Sequence, residues 1–269
     1  MQAGSEKALA TVIEATTFAL DAGADGTELG DDLFAMALTL DVRHGMRRAL
    51  TEPAVPADAK STLVHTLVKG RISDPAFEVV NTAVRSRWSK GRDLADSLER
   101  ASVTAHVAKA DQDGHLDDLE DNLFRFDRIV ESEPELREVL SEQEGSLEGK
   151  RKLLHTLLDG KVGAPTERVL GQAVAGRRRA LGTTLAMYQK IAAARRDRLV
   201  ATVWTASPLS DDHRGRLTAA LARQYSHEIH LNVIVDPEVL GGVRVAIGDE
   251  IIDSTIETRL AQAHRRLVR

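Results

Sequence analysis

A mainly α protein with a small α+β C-terminal domain is predicted by three observations. Residues 29 to 88 align without a gap onto residues 119 to 178, with about eighteen of the sixty aligned positions identical, so most of the chain is one module written twice. Aromatic residues are only 3% of the chain while Ala, Leu, Val and Arg are abundant, which favours helices packed through aliphatic side chains. From Arg198 onward, β-branched residues begin to alternate with period two, and that alternation marks strands. The predicted architecture is two tandem-duplicated helical bundles, residues 1–105 and 106–197, followed by a strand-helix-strand-strand-helix domain, residues 198–269.

The elements follow in order. Leu9, Val12, Ile13, Thr16 and Ala19 recur at helical spacing and predict a helix over residues 6–20. The next runs from about Thr27 to Asp41. Short helices follow at Met46–Leu50 and Asp58–Val68, punctuated by Pro53, Pro56 and Gly70. Asp74-Pro75 opens another, since proline in the first turn gives up no helical hydrogen bond. It carries Phe77, Val80, Val84 and Trp88, and a long helix over Leu94–Ala110 leads out of the first module. The second module repeats the scheme at 116–130, 135–141, 147–158, 165–177 and 183–195. Helices this short gain their stability by burying apolar faces on one another.

Leu199–Thr205 then reads as a strand, and 207–225 as a helix with Ser210 as N-cap. Residues 229–235 and 243–247 alternate again, with Gly241-Gly242 before the second of these strands and Gly248-Asp249 after it. Ser254-Thr255-Ile256-Glu257 has the form of a capping box opening a terminal helix, whose Arg265, Arg266 and Arg269 suit its C-terminal end.

Composition removes several classes of function. Cysteine is absent, which excludes disulfides, thiolate metal sites and cysteine nucleophiles. A net charge of -5 with interleaved signs argues against general nucleic-acid binding. The N-terminal residues lack the apolar core of a secretion signal and no apolar run is long enough to span a bilayer, so a soluble, intracellular protein is expected.

Four chemical signals fail on inspection. Gly145-Ser146-Leu147-Glu148-Gly149-Lys150 is one residue short of a phosphate loop, and Arg151 stands where a magnesium ligand belongs. In His227-Glu228-Ile229-His230 the histidines are three apart on a predicted strand, not one helical turn apart. His65 and His155 occupy matching repeat positions, which a duplicated structural role explains as well as a paired ligand or acid-base role. Arg177-Arg178-Arg179 and Arg195-Arg196 with Arg198 could contact an anionic partner, but charge runs at helix ends usually form a solvated face. No catalytic, metal or cofactor-binding residue is predicted.

The non-repeating end carries a resemblance. Arg195–Val203 followed by Thr205–Ser210, and above all Leu231-Asn232-Val233-Ile234-Val235-Asp236-Pro237-Glu238-Val239-Leu240-Gly241-Gly242-Val243-Arg244-Val245-Ala246-Ile247-Gly248-Asp249, continuing Ile252–Leu260, resemble the delta subunit of bacterial F-type ATP synthases. That family is the counterpart of the mitochondrial oligomycin-sensitivity-conferring protein. The likeness extends from about Ser102 to Leu260, so the first module is extra, as in the longer delta subunits of actinobacteria. Asp236, Leu240, Gly241, Gly242, Gly248, Asp249, Asp253, Arg259 and Leu260 are the signature positions, each with a structural reading, and Leu267 is a candidate partner contact.

The resemblance implies a non-catalytic stator subunit that needs no cofactor. In the family the helical domain holds N-terminal segments of the alpha subunits of the catalytic hexamer. The C-terminal domain grips the b subunits of the peripheral stalk, so that rotor torque is resisted during ATP synthesis. It also implies a place at the cytoplasmic face of the plasma membrane, attached only through the complex and without nucleic acid. The alternative is a helical-repeat adaptor binding an acidic protein or nucleic acid, supported by the duplication and the arginines.

Overall fold

The computed structural model describes residues 2–141, 146–175, 179–196, 199–225, 229–237, 239, 241–247 and 250–253. The chain divides into two compact units, Met1–Arg195 and Arg196–Arg269.

The first unit contains eleven helices among the described residues: α1 (Ala3–Asp21), α2 (Gly26–Val42), α3 (His44–Thr51), α4 (Ala57–Val68), α5 (Asp74–Arg85), α6 (Gly91–Gln112), α7 (Leu116–Ser132), α8 (Pro134–Ser141), α9 (Leu147–Leu158), α10 (Ala164–Val174) and α11 (Leu181–Arg196). Local chemistry sets their ends. Asp25 caps α2 by accepting from the backbone N–H groups of Thr27 and Glu28. Asp32 on α2 accepts from the N–H and the hydroxyl of Ser73 at 2.7 and 2.8 Å, which fastens the start of α5. The turn after α4 recurs after α9. Lys69 and Asp159 donate to the carbonyls of His65 and His155, and Gly70 and Gly160 take the left-handed conformation with φ of 70° and 67°.

Two helices stop earlier than their apolar patterns suggest. α5 ends at Arg85, and Trp88 lies beyond it; its indole N–H donates to the Ala83 carbonyl at 2.8 Å and so ties off the helix end while the ring is buried. α10 ends at Val174, where the Ala175 N–H donates to the Gln172 carbonyl and tightens the last turn; Arg179 beyond it is held by carboxylates of α6.

The ninety-residue repeat continues into the packing. α1 and α2 each on α5, α2 on α3, and α4 on α5 recur as α6 and α7 each on α10, α7 on α8, and α9 on α10. In this scheme α6 holds two positions at once, as the last helix of the first bundle and the first of the second. The 105/106 division between bundles therefore falls inside a continuous helix. One face of α6 places Leu94, Leu98, Ala101 and Ala105 in the first core, with Leu33, Leu40 and Val80. The opposite face places Val103, Val107 and Ala110 in the second, with Leu119, Leu123, Leu170 and Tyr188. A helix used on both sides has no solvent face, and most of its residues are buried.

The second unit contains β1 (Leu199–Thr205), α12 (Asp211–Tyr225), β2 (Ile229–Val235), β3 (Val243–Ile247) and β4 (Glu250–Asp253). The sheet order is β2-β1-β3-β4. β1 and β2 run parallel across the α12 crossover, with Ala201 opposite Leu231 and Val203 opposite Val233. β1 with β3, and β3 with β4, are antiparallel. Alternate residues Ala201, Val203, Ile229, Leu231, Val245 and Ile247 form one apolar face, which Leu217, Leu221 and Tyr225 of α12 cover. Ser210 caps α12 by accepting from the His213 N–H at 3.3 Å. The terminal helix expected from Ser254 onward lies outside the described residues.

Leu98→Ala empties a fully buried position of α6 and is expected to cost about 2–5 kcal/mol. Because α6 belongs to both cores, residues of the second bundle should lose protection together with those of the first. Denaturant titration with hydrogen exchange read in both bundles checks this.

Candidate partner-binding surfaces and the seam between the bundles

Four of the nine expected signature positions fall among the described residues, and these stand at turns and strand ends. Asp236 follows β2; its N–H donates to the Thr205 carbonyl at 2.9 Å and its carbonyl accepts from Val239 at 3.1 Å. Gly241 and Gly242 have φ of 67° and 83°, a conformation that side chains disfavour, and they turn the chain into β3. Asp253 ends β4, in register with Arg244. Leu240, Gly248, Asp249, Arg259, Leu260 and Leu267 lie outside the described residues.

The tested chemical signals resolve into structural roles where they are described. Ser146 is the N-cap of α9, accepting from the Gly149 N–H, and Lys150 packs its stem into the bundle, as Lys60 does at the matching position. His65 lies edge-on to Phe77 with ring centroids 5.5 Å apart. His155 meets Glu167 at 2.7 Å, and this hydrogen bond raises the imidazole above its ordinary pKa. Phe77 and Glu167 are themselves repeat-equivalent, so one geometry holds an aromatic contact in one copy and an ion pair in the other. His227 lies outside the described residues. Arg179 binds Asp96 and the buried Glu99 of α6, and Glu99 also accepts from the Tyr188 hydroxyl at 2.8 Å; Arg195 binds Asp111 at 2.7 Å. These arginines are internal ties. No group of histidines and carboxylates fit to hold a metal ion occurs among the described residues, and no described helix is long and apolar enough to cross a membrane.

Sequence reasoning missed the seam where α2 of the first bundle meets α6 and α10. Gly26 and Gly30, one helical turn apart, let α2 approach α6 closely. A Cβ at Gly26 would lie 2.7 Å from the Ala105 carbonyl oxygen, and one at Gly30 would lie 2.5 Å from the His106 ring. The Ser102 hydroxyl donates to the Gly30 carbonyl at 2.6 Å and accepts from Gln172 Nε2 at 2.8 Å, which joins α2, α6 and α10 through one oxygen. Asp31 pairs with Arg168 at 3.3 Å. Its other oxygen stands 3.4 Å from His106 Nε2 without forming a hydrogen bond. Burial therefore decides the state of His106: the ring is held neutral, its pKa lowered to about 4, with nearby Arg168 acting in the same direction. The one signal in the sequence is divergence between copies, because Gly30 stands where the second copy has Glu120.

Two outcomes test the seam. The unfolded chain protonates His106 near 6.5 and the folded chain only near 4, so unfolding takes up a proton between these values and stability falls as pH falls through that window. The full effect is about 3 kcal/mol, and His106→Asn should remove it from the pH dependence measured by denaturant titration. Gly30→Ala should destabilise by about 1–3 kcal/mol despite alanine's better helix propensity, read as a lower thermal midpoint.

Comparison with known proteins bears on the whole chain. Residues 98–267 match the model of the family described as ATP synthase delta (OSCP) subunit, a span that starts inside α6 and so takes that helix as its first. A chain named ATP synthase subunit delta from Streptomyces avermitilis is 46% identical over 254 residues, covering 92% of this chain and 93% of that relative. Chains of the same name from Streptomyces griseus and Thermobifida fusca are 43% and 41% identical, each alignment covering 99% of both partners. With the family model spanning well over half of its length and relatives this similar from end to end, the chain belongs to the ATP synthase delta (OSCP) family, non-catalytic structural subunits of the ATP synthase peripheral stalk.

Proposed function

We propose that this chain links the catalytic alpha/beta hexamer to the b-subunit stalk at the cytoplasmic face of the plasma membrane, and resists rotor torque so that proton flow drives ATP synthesis. The observation that carries the reading is the family match across the second bundle and the C-terminal unit together. The fold supports it mechanically. A stator must transmit force without bending, and α6, 22 residues and about 33 Å long, runs unbroken through both bundles.

The division of labour follows residues 1–105, 106–197 and 198–269, with α6 serving both bundles. The second bundle holds an N-terminal segment of an alpha subunit, since grooves between short helices accept amphipathic helices. The C-terminal unit grips the b subunits, with Leu267 as a contact. The first bundle adds a contact to the stalk or to another alpha subunit. The adaptor reading loses support at Arg179 and Arg195, which are spent on carboxylates of α6; Arg177, Arg178 and Arg198 lie outside the described residues.

Affinity purification of the tagged chain from solubilised membranes tests the proposal. Alpha and b subunits should be recovered with it, and deletion of residues 198–269 should lose b while alpha is retained. Recovery free of every ATP synthase subunit would overturn the reading.

A further inference from the structure

A trough runs along the outer face of α2. One cavity of about 640 Å³ lies between α2 and the second bundle's α9 and α10, floored by Phe34, Leu38 and Leu154. A second, of about 480 Å³, continues between α2 and the first bundle's α3 and α4, floored by Val42, Met46 and Leu67. They share Ala35 and Leu38, so the trough is continuous from Asp31 to Arg43, about 18 Å along the helix axis, with polar groups of α2, α9 and α10 set among the apolar ones at the Asp31 end. Val42 is 80% exposed within it.

The duplication supplies an internal control. Positions Ala35, Leu38 and Val42 of α2 correspond to Arg125, Arg128 and Ser132 of α7. On α7 that face is solvated, and its arginines pair with Asp121 and Glu131 on their own helix. At these three positions the copies diverge, apolar along the trough and polar on α7, while Phe124 and Ile129 of α7 stay exposed beside them. The part of the trough against α9 and α10 needs both bundles, whereas the part against α3 and α4, with Val42, is lined by the first bundle alone.

Charge identifies what covers it. Arg43 and Arg71 stand at one end and Arg151 at the other; all three are exposed, and none is within ion-pair distance of a carboxylate among the described residues. The carboxylates lining the trough, Asp31 and Glu167, are already engaged with Arg168 and His155. We infer that the trough binds an acidic amphipathic helix of about three turns from another subunit of the complex, apolar face on α2 and carboxylates toward these arginines. The inference rests on the chain's place in the ATP synthase complex, and it adds a docking surface built jointly by the two bundles.

The test places p-benzoylphenylalanine at Val42, and separately at the matching Ser132, in the intact complex, followed by photolysis and mass spectrometry. The expected result is an adduct from position 42, and not from 132, to an acidic segment of another subunit with helical apolar spacing. Combining the probe with Arg43→Glu, Arg71→Glu and Arg151→Glu, all at exposed sites, should lower the adduct yield at least about fivefold at low salt. The inference is overturned by no adduct, by an adduct to a second copy of this chain or to a segment without acidic residues, or by a yield unaffected by charge reversal. Adduct yields are compared on complexes that retain the chain. Loss of the unsubstituted chain from the complex would instead overturn the proposed function.

Discussion

The two-sided burial of α6 is the constraint on which the first unit depends. A helix on the surface of a bundle can leave half its circumference to water, and its sequence shows the division. α6 cannot, because Leu98 and Ala101 belong to one core while Val103 and Val107 belong to the other. Four of its buried polar residues are satisfied or neutral: Glu99 by Arg179 and Tyr188, Ser102 by Gly30 and Gln172, Asp93 by the Ser5 hydroxyl, and His106 by giving up its charge. Removing one partner from such a network leaves a buried polar group unpaired, so the network fixes the relation of the bundles as well as stabilising it.

The duplicated copies show which positions are governed by the module and which by its surroundings. Leu33 and Leu123, Val64 and Leu154, Ala83 and Ala173 stay buried in both, and Lys60 and Lys150 keep the same buried stem. Phe34 and Phe124 are identical in sequence yet differ in exposure, 4% against 60%, because only Phe34 has a second bundle beside it. The contrast is between neighbours, since the residue and its helix are the same.

A stator subunit asks little of individual side chains and much of rigidity. The molecule answers with a continuous helix through two cores, a close glycine-mediated approach of α2 to α6, and a C-terminal sheet in which β1 is hydrogen-bonded on both sides. The described signature residues, Asp236, Gly241, Gly242 and Asp253, stand at turns and strand ends.

The sequence by itself determined the class of fold, the tandem duplication, nearly every described helix and strand, and the family, because these are written in local periodicity, in caps and turn residues such as Ser210, Pro75 and Gly241, and in the run from Leu231 to Leu260. Trp88 shows the limit of that reading: its spacing continued α5, but its indole was needed to close the helix end. The tertiary structure alone decided that α6 is shared, that Gly30, Ser102, His106 and Gln172 meet, that Arg179 is an internal tie, and that α2 borders a trough. The physical reason is that periodicity reports a contrast between a buried face and a wet one. Where a helix is buried all round, or where a polar residue's partner lies seventy or more positions away, as Gly30 does from Ser102, no local contrast remains to be read.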